Sequence, residues 1–160
     1  MPIPVKLSDV LEHMEMAHPE SRSLLNKRTG EFVFFTEEEQ RLVEDGDEEA
    51  LARAPVWQRE ALPRVTEALE SDEYVAPPDE FDIHEWSIME RFTRSVGDDQ
   101  QCEALSAAIH GSGAFRRFKD TLYRLGIEDD WYRYRDAEFE RIAIEWLESE
   151  GIPYVRDTGE

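Results

Sequence analysis

The sequence predicts an α+β fold, and three of its features carry that prediction. The segments 22–27 (RSLLNK) and 31–36 (EFVFFT) have the composition of strands, and they flank a turn that ends in Gly30. Helical periodicity with repeated capping signals fills most of the C-terminal half. The chain has 160 residues, of which 11% are aromatic, and this is enough to bury a core. We therefore expect an N-terminal β-hairpin and a small, mainly antiparallel sheet packed with a C-terminal helical subdomain of about four helices.

Capping signals place the first helices of the N-terminal half. Ser8 is positioned to cap a short helix. Thr36 and Glu39 form a capping box for a second helix, because each side chain can bond the backbone N–H of the other residue. Gly46 is suited to end that helix in a left-handed conformation, and Asp47 can then cap the next one.

Prolines divide the rest of the N-terminal half. Pro55 and Pro63 each predict the first turn of a new helix, because a helix start does not need the N–H group that proline lacks. Tyr74–Ala76 reads as a short strand that two prolines end. Residues 152–156 are expected to return as an edge strand. Together with the hairpin, these strands would form a small sheet against the helices, either continuous or split by them.

The C-terminal half is mostly helical in pattern. Asp82 with Glu85, and Asp98 with Gln101, make two further capping boxes, each of which precedes a helix. Glycine is the residue that most readily adopts the left-handed conformation at a helix end. Two more helices are accordingly expected over 114–125 and 131–150, with Gly126 and Gly151 as their C-terminal stops.

The composition is strongly acidic. The chain carries 18 Lys and Arg against 38 Asp and Glu, which is a formal net charge of −20. A basic surface supplies most of the affinity for nucleic acids and for anionic membranes, so direct binding to either is not expected. Such a charge favours solubility and a monomer or weak dimer.

Cysteine usage and the N-terminus indicate the cytoplasm. Cys102 is the only cysteine, so no internal disulfide can form, as is usual in a reducing compartment. The first residues lack the basic start and unbroken apolar run of a signal peptide, and no segment is apolar enough to span a membrane. We expect one domain over 1–160, in which 1–80 hold the hairpin, sheet and short helices and 81–160 the helical part.

Four segments of the C-terminal half resemble a known family. They are Met89–Phe92 (MERF), Gly113–Asp120 (GAFRRFKD), Trp131–Tyr132 and Trp146–Glu148 (WLE). Through them the chain resembles the bacterial proteins grouped as Uncharacterised Protein Family 0158, and the GAFRRFKD run is the most specific of the four. The resemblance implies a bacterial cytosolic protein. It implies no activity and no catalytic residues.

The stretch from His110 to Asp120 (HGSGAFRRFKD) is the chemically distinctive part of the chain. Glycines at a helix start let an anion approach the backbone N–H groups, and basic side chains nearby add charge. No GKS or GKT follows the glycines, so the segment is not a P-loop. The candidate anion- or partner-binding residues are His110, Gly111, Ser112, Gly113, Arg116, Arg117, Lys119 and Arg124.

The same stretch has a purely structural interpretation. The Gly-Ser-Gly segment can be a tight corner between two helices, with Phe115 and Phe118 as core anchors of the second helix. On the solvent side, Asp120 lies four residues from both Arg116 and Arg124 and can pair with either of them.

Other candidate sites are weaker. His13 and His18 lie five residues apart, which does not bring two imidazoles onto one helix face for a metal, so structural roles are expected. Cys102 and His110 are about 12 Å apart along one helix, too far for a nucleophile and its base, and Cys102 is expected in the core. The acidic run around Gly46 lacks the ligand spacing of a calcium loop. We expect no catalytic residue, metal site or cofactor.

Three functions fit these features. The leading expectation is a non-catalytic binding or adaptor domain of the bacterial cytoplasm, which contacts a protein partner through the Gly111–Lys119 corner and the outward face of the following helix. The first alternative is an enzyme that holds a phosphorylated small molecule at the same corner. The second alternative is an acidic mimic of nucleic acid, whose partner would be a basic protein.

Overall fold

The computed structural model describes residues 3–16, 20–46 and 48–157. The chain forms two compact units, of which the first extends to Glu80 and resumes at Ala143, and the second is Phe81–Ile142. Within the described ranges, no helix is long and apolar enough to cross a membrane. In chain order the elements are β1 (Val5–Lys6), α1 (Leu7–Glu15), β2 (Ser21–Asn26), β3 (Phe32–Thr36), α2 (Glu37–Asp45), α3 (Glu48–Arg53), α4 (Val56–Glu70), β4 (Tyr74–Val75), α5 (Glu80–Ile83), α6 (Glu85–Ser95), α7 (Asp99–Ala108), α8 (Ala114–Leu125), α9 (Glu128–Ser149) and β5 (Tyr154–Val155).

The hairpin of the first unit confirms the α+β class. Strands β2 and β3 pair antiparallel in a register that sets Leu24 opposite Val33, and β4 pairs antiparallel with the other edge of β2. Phe35 joins these two residues on the buried face, where they pack with Val65 and Ala68 of α4. Burial of this apolar face against one helix is what holds so small a sheet in place.

The C-terminal strand does not join the hairpin sheet, so the strands of the described residues are divided between two sheets. Strand β5 instead pairs in parallel with β1, with Val5 opposite Tyr154, and the N–H of Val5 donates to the carbonyl of Pro153 at 3.0 Å. Strand β1 is only two residues long and leads directly into α1. So short a strand has no periodicity to recognise, so its pairing could not be predicted from sequence.

The start of α1 also differs from the prediction. Ser8 lies inside the first turn, and Lys6 occupies the capping position without a side-chain hydrogen bond. The cap is supplied from the other end of the chain, because Asp157 accepts hydrogen bonds from the N–H of Ser8 at 2.9 Å and from its hydroxyl at 2.5 Å. A carboxylate at this position satisfies a free N–H and favours the helix dipole.

The two hydrogen bonds that Ser8 donates affect the pKa of Asp157. The hydroxyl bond first, and the backbone bond second, hold the pKa of Asp157 below its ordinary value of 3.8. Because the folded pKa is the lower one, this contact is fully present above pH 3.8 and is lost as the pH falls through the folded pKa. We expect Ser8→Ala to raise the pKa of Asp157 towards 3.8, measured by NMR titration of the carboxyl group. An unchanged pKa in that variant would show that the hydroxyl does not hold the carboxylate.

Several helix boundaries confirm the capping predictions. The N–H of Glu39 donates to the hydroxyl of Thr36 at 3.1 Å, and the N–H of Thr36 donates to the carboxylate of Glu39 at 3.0 Å, which is the predicted box. Gly46 ends α2 with φ of 60°. Asp98 accepts from the N–H of Gln101 at 3.0 Å at the start of α7, which confirms the cap but not the return bond from Gln101 that a full box requires. Asp47 lies outside the described residues.

The predicted box of Asp82 and Glu85 was wrong. Asp82 belongs to the short α5, and α6 begins at Glu85 after His84, which adopts a left-handed conformation with φ of 51°. The imidazole Nδ1 of His84 and the hydroxyl of Ser87 lie 2.5 Å apart, so a local bond supports this uncommon backbone. The sequence rule fails because the chain turns between the two members of the expected pair.

Pro63 does not begin a helix, although Pro55 does immediately precede α4. The carbonyl of Pro55 accepts from the N–H groups of Gln58 and Arg59, both at 3.0 Å, and α4 then continues through Pro63. A proline inside a helix leaves one carbonyl without its N–H partner. Burial of Leu62 and other residues along one side of α4 offsets that loss.

Aromatic side chains form the centre of the second unit. Phe118 of α8, which is 1% exposed, meets the Trp131 ring edge to face, with the ring centroids 4.9 Å apart. Phe92 of α6 packs edge to face against both rings, at 5.4 Å from Trp131 and 6.3 Å from Phe118. The helix predicted over 114–125 is α8, and α9 begins at Glu128, earlier than predicted. Edge-to-face pairs add to the free energy of burial and fix how these helices pack.

Candidate functional site

The corner between α7 and α8 is built from left-handed backbone. Helix α7 ends at Ala108, and α8 begins at Ala114. Gly111 has φ of 81° and Gly113 has φ of 74°, which side chains with a Cβ rarely adopt. Gly113 stands directly before α8 and offers no side-chain cap. The two glycines are therefore required by the turn itself.

The guanidinium of Arg117 binds the carbonyls of this corner, although the residue itself is exposed. Its Nε donates to the carbonyl of Ala108 at 3.2 Å, its Nη1 to the carbonyl of Ser112, and its Nη2 to the carbonyl of His110. A Cβ at residue 113 would come within 3.4 Å of Nη1. Carbonyl groups at a helix end lack partners within the helix, and a planar arginine fork is suited to bind several of them together. Three of its donor atoms are thus engaged within the corner.

A second side chain secures the same segment. The indole N–H of Trp86 donates to the carbonyl of Ile109 at 2.8 Å. The ring of His110 is exposed and lies 6.4 Å from the ring of Trp86. The carbonyls of 108, 109, 110 and 112 therefore all accept bonds from side chains of the second unit, and the corner is held from two sides.

Helix α8 presents a different group of predicted residues to solvent. Phe118, Thr121 and Leu122 define its buried side. The exposed side chains of α8 that do not contact the corner, which we call the α8 outer face, are mostly basic and aromatic. They are Phe115, Arg116, Lys119, Asp120, Tyr123 and Arg124.

Two expectations about this helix were wrong. Phe115, expected to be a core anchor, is 47% exposed, because it lies in the first turn of α8, beyond the end of the aromatic core. Asp120 makes no ion pair with Arg116 or Arg124 among the described residues. Arg116, Lys119 and Arg124 have no side-chain hydrogen bond or ion pair within the described ranges, so α8 carries three cations that none of the described residues neutralises.

Arg116 and Arg117 are thus separated by the structure, although they are neighbours in sequence. A helix turns by about 100° per residue, so Arg117 reaches the carbonyls of the corner and Arg116 does not. The structure brings His110, Gly111, Ser112, Gly113 and Arg117 together at the corner. It places the remaining candidates on the α8 outer face. These are Arg116, Lys119 and Arg124.

The other candidate residues of the sequence are His13, His18 and Cys102. The imidazole of His13 stacks on the ring of Phe32 with centroids 3.9 Å apart, and burial lowers the pKa of His13. His18 lies outside the described residues. Cys102, expected in the core, is only partly buried. Within the described ranges, no three His, Cys, Asp or Glu residues are grouped so that they could hold a metal ion.

Sequence reasoning missed a polar cleft in the first unit. It lies beside the turn of the hairpin, and its walls come from α1, the hairpin, α4 and β4, with Asp9, Asn26, Glu67 and Tyr74 among the lining residues. No motif identifies it, because these residues are spread over more than 60 positions of the chain and only the fold brings them together.

The comparisons with known proteins match the C-terminal part. The model of the uncharacterised protein family UPF0158 matches residues 58–158, which is more than half of the chain. The chain belongs to this family. The matched range includes the corner, all of α8 and all of α9.

One relative in this family is a bacterial protein. The chain is 30% identical over 66 residues to UPF0158 protein PA5073 of Pseudomonas aeruginosa, and the match covers 41% of this chain and 43% of that protein. The chain therefore matches less than half of that relative's length. No solved structure matches the chain. The family is established by the match to its model, and neither the name of the family nor that of the relative states an activity.

Proposed function

We propose that the protein is a non-catalytic binding or adaptor domain of the bacterial cytoplasm, and that the α8 outer face docks an acidic protein partner. One observation carries the proposal. Arg116, Lys119 and Arg124 are exposed and unpaired among the described residues, although the chain as a whole has a net charge of −20.

The charge of α8 has the opposite sign to that of the chain. The helix carries four basic side chains against one acidic one, a net charge of +3. An acidic chain has many carboxylates that could neutralise this surface, and the ion pairs elsewhere, such as Arg41 with Glu37 at 2.9 Å, show that such pairs do form. A basic surface left open attracts an acidic partner and orients its approach.

The aromatic residues of the face favour a protein over a mobile anion. Tyr123 is 75% exposed and Phe115 is 47% exposed. Tyrosine, phenylalanine and arginine are enriched at protein interfaces, where they supply much of the binding energy. The charge of the whole chain would repel a long polyanion such as DNA, because its field extends over about 10 Å at moderate salt. A short acidic segment with apolar residues fits the face better.

The corner contributes rigidity to this face. Arg117 and Trp86 fix the carbonyls before α8, so the first turn of the helix, with Phe115 and Arg116, is held in one position. A surface that is already ordered loses less conformational entropy on binding. In this proposal His110, Gly111 and Ser112 form the rim of the contact, and Arg117 positions it.

The proposal is tested by photo-crosslinking with a matched control. A photoreactive amino acid replaces Tyr123 in one variant and Trp57 in the other, because these side chains are 75% and 68% exposed. We expect a discrete partner to be captured from position 123 and not from position 57. The identified partner is then purified and its affinity measured for Arg124→Glu and for Arg59→Glu, which change the net charge equally. Arg59 is an exposed arginine of α4.

The expected result is a loss of affinity of about tenfold, or about 1.4 kcal/mol, for Arg124→Glu and little change for Arg59→Glu. An equal loss in both variants would mean that only net charge matters, and the α8 outer face would be rejected as the docking surface. A partner that is basic and released by moderate salt would instead favour the mimic of nucleic acid.

The enzyme alternative has its own test. Thermal-shift measurements with phosphate, nucleotides and phosphosugars, with and without divalent metals, detect a phosphate site at the corner. A stabilisation that Gly113→Ala abolishes and Arg59→Glu preserves would favour a phosphorylated small molecule over a protein partner. Residue 113 has φ of 74° and stands at the start of α8, where an anion would approach.

A further inference from the structure

The cleft beside the hairpin turn has the size of a small-ligand site. Its volume is about 640 Å³, and polar groups dominate its walls. Small-ligand sites usually enclose about 300–1,000 Å³. Its lining residues include Asp9, His13, Asn26, Phe32, Glu67 and Tyr74, all of which belong to the first unit.

The charge of the cleft is negative, because three carboxylates and one arginine are among the residues that line it. Glu31 pairs with Arg64 at 3.6 Å on the wall, so these two charges offset each other. Asp9 and Glu67 have no side-chain hydrogen bond or ion pair among the described residues. Burial lowers the pKa of His13, so its imidazole is neutral at pH 7 and does not balance them. A cationic group fits this wall, and an anion is repelled.

The cleft also offers hydrogen-bond donors. Asn26 is 5% exposed, and its side-chain oxygen accepts from the N–H groups of Arg28 at 2.8 Å and Thr29 at 3.1 Å. The Nδ2 amide of Asn26 has no acceptor among the described residues. The side-chain amide is therefore fixed by the turn, and its donor end is left for a ligand.

His13 supplies a second donor. Its Nδ1 is buried without a partner, and its ring stacks on Phe32 with an angle of 13° between the planes. A buried N–H without an acceptor costs more than a buried lone pair, so the proton of the neutral imidazole belongs on Nε2. The stack fixes the ring, and Nε2 is the atom that can donate to a ligand.

We propose that this cleft binds a basic amino acid, through both its cationic side chain and its carbonyl or carboxylate oxygen. Asp9 and Glu67 pair with the guanidinium or ammonium group, and Tyr74 adds an aromatic surface of the kind that attracts cations. Asn26 Nδ2 and His13 Nε2 donate to the oxygen. The amino acid is either free or a residue of a peptide, and both sources present the same two groups.

Titrations of the intact protein test the ligand class. Arginine and lysine represent the free amino acid, and acetyl-arginine amide represents a peptide residue. Agmatine has the guanidinium without the carboxyl group, and glutamate is the anionic control. We expect saturable binding of arginine or of acetyl-arginine amide, with NMR shifts at the cleft residues, and weaker binding of agmatine. Tighter binding of arginine would indicate a free amino acid as the ligand, and tighter binding of acetyl-arginine amide would indicate a residue of a peptide.

Charge-neutral variants locate the site. We expect Asp9→Asn and Glu67→Gln each to weaken binding by about tenfold. The matched control, Glu70→Gln on α4, removes an exposed carboxylate from the helix that carries Glu67 and should leave binding unchanged. Circular dichroism of each variant checks that it folds.

Three results would overturn the proposal. They are the absence of saturable binding for every basic ligand at millimolar concentration, equal binding of glutamate and arginine, and equal losses in the control and cleft variants. The proposal does not depend on the α8 outer face, because that face lies in the second unit and its test uses other variants.

Discussion

Replacing Phe118 by alanine is expected to lower the free energy of unfolding by about 3–5 kcal/mol, the usual cost of removing a buried phenylalanine ring. The side chain is 1% exposed and contacts Phe92 and Trp131 edge to face. Alanine would leave a cavity between three helices and remove two aromatic pairs together. Chemical denaturation followed by near-ultraviolet circular dichroism measures the effect.

Phe115 is the matched control for this substitution. It has the same side chain on the same helix one turn earlier, but it is 47% exposed. We expect Phe115→Ala to change the free energy of unfolding by less than about 1 kcal/mol. Comparable losses for the two variants would mean that the outer face of α8 is covered in solution, and they would contradict the exposed surface on which the proposed function depends.

These two phenylalanines show how far helical periodicity can predict a core. Phe115, Phe118 and Leu122 share one stripe of α8, and the structural interpretation of the sequence made Phe115 and Phe118 core anchors. The structure buries Phe118 and Leu122 and leaves Phe115 in solvent. Periodicity reports the direction in which a side chain points, but the length of the core along the helix depends on the neighbouring helices.

Local hydrogen bonding separates the boundaries that could be predicted from those that could not. The caps at Thr36 and Asp98 bond residues three positions away, so the capping rule needs only residues that are close together in the sequence. The cap of α1 is Asp157, which lies 149 positions from Ser8. The parallel pairing of β1 with β5 likewise joins the two ends of the chain. Such contacts follow from the assembled fold.

The candidate sites likewise differ in whether their residues are close together or far apart in the sequence. The GAFRRFKD run is visible in sequence because its residues are contiguous, and it led to the corner and to α8. Its charges alone do not distinguish Arg116 from Arg117, because the difference lies in carbonyl groups that precede Arg117 by five to nine positions. The cleft of the first unit was not predictable, because its carboxylates come from separate helices.

Replacing Arg117 by alanine is expected to lower the free energy of unfolding by about 2 kcal/mol, because several charge-assisted hydrogen bonds are lost together. The guanidinium binds the carbonyls of Ala108, His110 and Ser112, which close the corner between α7 and α8. Water can reach these carbonyls in the variant, so the loss stays below the sum of three separate bonds. Denaturant unfolding measures the stability, and amide exchange of residues 109–115 measures the opening of the corner.

Two further variants, at Arg116 and at Arg117, show whether the carbonyl contacts or only the positive charge of Arg117 stabilise the fold. Arg116 has the same charge and no side-chain bond among the described residues, so Arg116→Ala should change the free energy of unfolding by less than about 0.5 kcal/mol. Arg117→Lys keeps the charge but not the planar fork, and we expect it to recover less than half of the stability. Full recovery by lysine would show that position 117 requires only positive charge. In that case the carbonyl contacts would not be what orders the start of α8, and the docking face would need another source of rigidity.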